Sequence, residues 1–101
     1  MRASAARQIA NTLGAVAEVE GVYLVSGEGE GVRVVTVVDR EDDAVYRRIY
    51  ARELELARKL PGAHFDFSVI ARRGRPVEQI VGDTRPVWER SSLSGDAERA
   101  F

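Results

Sequence analysis

The chain has 101 residues, 15 of them basic and 16 acidic, with a net charge of −1. That is enough for one domain around one core, and too balanced for the whole molecule to be steered to nucleic acid or an anionic membrane. The chain contains no cysteine, which excludes disulfides, thiolate chemistry and cysteine-based zinc sites.

No apolar run approaches the ~20 residues of a membrane span, and the N-terminus lacks the apolar core of a signal peptide, so a cytoplasmic location is expected. The first element in chain order is an amphipathic helix over residues 4–18. Ala6, Ile9, Ala10, Leu13, Val16 and Ala17 form its apolar stripe, Ser4 stands at its N-cap and Glu20-Gly21 ends it. Gly14 inside it costs ~1 kcal/mol relative to alanine and signals close packing or a marginal helix.

Val22 to Ser26 reads as a short strand. After the glycine-rich link of residues 27–31, the run Val32 to Val38 is a second strand, antiparallel to the first. Five of the seven residues in that run are valine. Being apolar on both phases, it belongs in the middle of a sheet, covered on one face and partly on the other. A phosphate-binding role for the link is disfavoured, because Glu28 and Glu30 sit between its glycines and a strand follows rather than a helix.

Asp39, Glu41, Asp42 and Asp43 place negative charge at the start of a second helix reaching about Leu60, with Asp39 as its cap. Their spacing is not that of a calcium loop. Tyr46, Ile49, Tyr50, Leu54, Ala57 and Leu60 form the expected buried stripe, and Asp43–Arg47 and Glu55–Lys59 are i,i+4 pairs. Pro61-Gly62 stops the helix. Ala63 to Ala71 is a third strand with Phe65, Phe67 and Val69 toward the helices and His64, Asp66 and Ser68 as a polar row on the other face.

After a turn at Arg72 to Arg75, Pro76 and Gly82 bracket a short helix, and Arg85 to Arg90 forms an edge strand limited by Pro86. Residues 91–101 are expected to be disordered. The fold class is therefore α+β: a single domain over residues 1–90 in the order α-β-β-α-β, then a short helix and a final edge strand, with a mixed sheet and two helices on one face.

The opening helix and Gly21-Val-Tyr-Leu-Val-Ser-Gly27, followed by a second strand and Asp66 in Phe65-Asp66-Phe67, resemble the small nucleotidyltransferase domains over about residues 8–71. In that family a Gly-Ser pair ends the first strand, and three carboxylates hold two divalent cations. Here Ser26-Gly27 is reversed, valines of Val32 to Val34 stand where the paired acids belong, and Asp66 alone keeps the third acid. The resemblance therefore implies a catalytically silent relative. The Phe-Asp-Phe strand and the Arg73-Gly74-Arg75-Pro76 turn are also similar to those of small bacterial proteins to which no activity is attached.

The functional expectation is a non-enzymatic domain without metal or cofactor, acting through a protein partner or as a homodimer. Its interface candidates are Trp88, Arg85 and Arg90, together with the open edge strand. One alternative is residual metal-dependent nucleotidyl transfer or nucleotide binding, with Asp66 as the remnant ligand. A second is nucleic-acid contact through Arg72, Arg73 and Arg75, because residues 72–90 carry five basic residues against three acidic ones. Of the chain's 15 basic residues only Lys59 is not arginine, a bias that GC-rich coding favours and that weakens any argument from an arginine cluster.

Overall fold

The computed structural model describes residues 3–26, 31–62 and 64–90. The glycine link at residues 27–30 and the tail at residues 91–101 lie outside the described residues. The elements are α1 (Ala3–Gly14), β1 (Gly21–Ser26), β2 (Val32–Val38), α2 (Asp43–Lys59), β3 (Phe65–Ala71), α3 (Glu78–Val81) and β4 (Pro86–Glu89). They build an α+β domain around one four-stranded sheet of order β3-β2-β1-β4.

β2 is the interior strand its composition predicts. It pairs antiparallel with β1 and parallel with β3, which α2 makes possible by carrying the chain back across the sheet. Alternate residues then point to two different cores. Val34 and Val38 join Ile9 and Leu13 of α1 and Ile49 and Leu56 of α2 on the helix-covered face. Val35 and Val37 pack with Tyr23 on the far face, where Ile70, Val77 and Val81 shelter them. α3 thus covers part of the sheet that would otherwise be wet.

Four local expectations are corrected. α1 ends at Gly14, not at residue 18, and Ser4 lies inside it rather than capping it. The indole of Trp88 packs on Gly14 so closely that a Cβ there would stand 2.5 Å from the ring. Arg90 then closes the helix end, donating from Nη2 to the carbonyls of Gly14 and Val16 at 3.1 Å and from Nε to Val19 O at 3.0 Å. At α2 the cap is Asp42, which accepts from Ala44 N and Val45 N, whereas Asp39 accepts from Gly74 N across the sheet end. The short helix begins at Glu78 rather than at Pro76, with Gly82 ending it at φ +67°.

The fourth correction matters most for the surface. The buried residues of α2 are Val45, Ile49 and Leu56, while Tyr50 and Leu54 are each 53% exposed. The buried stripe is rotated from the expected one, so Glu53 falls between Ile49 and Leu56 on the inner side. Of the expected ion pairs along this helix, Glu55–Lys59 forms at 2.7 Å, and Glu55 also takes Arg52 at 3.2 Å.

Candidate functional site

Asp66 lies on the far face of β3, exposed, with Arg33 of β2 directly opposite it in the register. Its cross-strand neighbour is thus a cation. Ser68, next along the same face, stands opposite the buried Val35. Among the described residues no three acids or histidines gather as a metal-holding group.

The acids before α2 are each engaged locally. Asp42 caps the helix, Asp39 receives Gly74 N, and Glu41 pairs with Arg73. The arginines of the turn are tied into the fold as well. Arg72 grips Glu20 through Nε and Nη2, with Asp39 at 3.9 Å from Nη2, and the Glu20 carboxylate holds its guanidinium firmly protonated. Arg75 donates to the carbonyls of Arg72 at 2.8 Å and Ala71 at 2.9 Å. Arg73 adopts a left-handed backbone at φ 53°, followed by Gly74 at φ 78°, which turns the chain back over the sheet end.

The aromatic interface candidate is half-buried against α1. The Arg90 guanidinium lies 4.8 Å from the Trp88 ring centroid, and both side chains thereby secure the α1 end. Arg85 is exposed just ahead of β4.

The exposed large apolar side chains lie elsewhere. Arg48 and Arg52 of α2 line a groove with Ala15 and Val16, and Arg48 donates to Glu18 at 2.9 Å, so that side of the helix faces α1. Tyr46, Tyr50, Glu53 and Ala57 stand on the opposite side, at 100° per residue, with Leu54 at its rim. This is the flank next to β3, where Tyr46 shares a groove with Val69 and Ala71. Below it, Phe65 and Phe67 are partly exposed with their rings 5.5 Å apart. β3 is an outer strand, and its far edge has no partner strand among the described residues.

Comparison of the chain with protein-family models, curated proteins and solved structures finds no match.

The two edges of the sheet differ in character. β4 has four residues, begins with Pro86 and meets β1 through an irregular register between Val22 and Tyr23. Shortness, proline and irregularity are the devices that keep an edge from pairing. β3 has seven residues in unbroken register and no proline. Among the described residues no strand pairs with its outer edge, which is bordered by the flank of α2.

Glu53 sits on that flank. Its Oε2 is buried and has no hydrogen-bond partner among the described residues, and desolvation pushes the carboxyl up to about 7. Sequence reasoning missed Glu53, Tyr50 and Leu54 as surface features. The available signal was the alternative stripe Val45, Ile49, Leu56, which fits helical spacing equally well and carries the acid inward.

Proposed function

We propose that this is a non-catalytic domain that works by self-association, with the outer edge of β3 pairing antiparallel to the same edge of a second copy. The observation that carries this reading is the long, regular β3 edge, without a partner strand among the described residues and flanked by the exposed Tyr50 and Leu54. A two-fold axis perpendicular to the sheet makes one continuous eight-stranded sheet and brings the two α2 helices face to face on the same side. Tyr46, Tyr50, Leu54 and Ala57 carry no charge, and Asp43 and Arg47, which border Leu54 on the same flank, are of opposite sign. Glu53 is the partly buried acid beside them, and desolvation pushes its carboxyl up to about 7. Within this reading the likeness to nucleotidyltransferases is that of a silent relative, since Asp66 has Arg33 opposite it instead of a second acid.

Sedimentation velocity at tens of micromolar is the test. The expected result is a dimer, which Leu54→Glu converts to monomer while the circular dichroism spectrum stays the same. A chain that sediments as a monomer up to ~100 µM would remove the proposal, because that is far above the dissociation constants of stable dimers.

A further inference from the structure

The far face of the sheet carries a second feature, on the side away from α1 and α2 and independent of the β3 edge. Where the turn from Arg72 to Val77 folds back over the ends of β1 and β2, it leaves a cleft of about 360 Å³, within the size range of small-molecule sites. Its floor is apolar, formed by Val37 and the ring of Tyr23, with Val77 packed against them. The ring lies over Gly21, where a Cβ would stand 2.9 Å from it, so the glycine leaves room for it.

The two ends of the cleft differ in charge. At one end Glu20 compensates Arg72, but Arg75 has only neutral partners among the described residues, the carbonyls of Ala71 and Arg72. Its guanidinium keeps its charge unopposed and has its Nη1 to spare. At the other end stands Glu89, exposed and without an ion-pair partner among the described residues. The Arg90 guanidinium, though next in sequence, is committed to three carbonyls and to Trp88. Between the ends, burial together with Glu89 and Glu78 keeps the Tyr23 phenol protonated, so it remains available as a donor.

We propose that this cleft binds a small zwitterion, with its anionic group at Arg75, its protonated amine at Glu89 and an apolar spacer across Tyr23, Val37 and Val77. A ligand with a single charge engages one end and leaves the other hydrated. A wholly apolar ligand leaves both ends unmet. A molecule with charges of both signs on a short aliphatic chain matches the lining along its whole length.

The test is an amide NMR titration of the full chain with 6-aminohexanoate, hexanoate and hexylamine at low salt. The expected result is saturable shifts at Gly21, Tyr23, Val37 and Val77 with 6-aminohexanoate, and binding about tenfold weaker for each singly charged analogue. Arg75→Gln should abolish the preference over hexylamine, and Glu89→Gln the preference over hexanoate. Both positions are exposed, and the comparison of the three ligands on the unaltered chain stands without either variant. Absence of saturation by ~50 mM, equal affinity for all three ligands, shifts centred elsewhere, or preferences that survive both substitutions would each overturn the proposal.

Discussion

Glu53 is an acid placed where a helix normally keeps an aliphatic side chain. It lies one turn from Ile49 and from Leu56, both fully buried, with its Oε2 unpartnered among the described residues. Burial raises its value from 4.5 to about 7, so the fold prefers it protonated while the unfolded chain does not. The stability linked to that proton is fully present below about 4.5, declines as pH rises toward 7 and is gone above it. Ionising it in the fold costs on the order of 1 kcal/mol, well below the value for full burial, because water reaches part of the side chain. Urea unfolding should therefore show wild-type stability falling between pH 5 and 8, whereas Glu53→Gln should show a flatter dependence and greater stability at pH 8. An equal pH slope in both proteins would refute this account. Thr36, whose Oγ1 is likewise buried without a partner among the described residues, shows that the helix-covered core tolerates more than one unmet polar atom.

At the scale of the element, α1 illustrates two opposing effects at one residue. As the last residue of α1, Gly14 gains at most ~1 kcal/mol of helix propensity on replacement by alanine, but the new methyl group meets three Trp88 ring atoms at 2.5 to 2.8 Å. Overpacking of this kind costs about 1–3 kcal/mol, and the indole has little freedom to move while Arg90 stacks on it. Steric conflict should win, so Gly14→Ala should lower the urea midpoint with an unchanged slope. In a Trp88→Leu background the same substitution should raise it. Failure of the sign to reverse would show that the ring is not the obstacle.

Element identity is legible in the sequence where one residue type dominates. The valine run of β2, the glycine-rich link before it and Pro61-Gly62 after α2 suffice to place two antiparallel strands and a crossover helix, and these hold. The phase of α2 is not legible, because Tyr50 and Leu54 are as apolar as the residues that are buried. Which stripe turns inward depends on where α1 and β3 lie, and spacing along one helix does not encode that. The candidate site shows the same division. Strand alternation is enough to put Asp66 on the polar face of β3, yet its pairing with Arg33 depends on a parallel register between two strands joined only through α2. The Arg72–Glu20 contact spans 52 positions.

At the scale of the whole molecule, the sheet has one blunted edge and one that, among the described residues, has no partner strand. Pro86 and the irregular register blunt β4, while β3 presents seven residues in regular pairing order beside an apolar flank. If copies join there, folding and association are linked, and the thermal midpoint should rise with protein concentration. A midpoint that stays constant over a roughly hundredfold range of concentration would argue for a chain that folds alone. No described helix is long and apolar enough to cross a membrane.

The clamp that Arg90 sets on the carbonyls of Gly14, Val16 and Val19 joins the beginning of the domain to its last strand. During synthesis the opening helix emerges from the ribosome long before the residue that secures its final turn. Until position 90 has cleared the exit tunnel, the carbonyls of Gly14 and Val19 lack this donor, while Val16 O keeps its bond from Val19 N at 3.0 Å. The end of the first helix is therefore secured late in translation, when Arg90 becomes available to it.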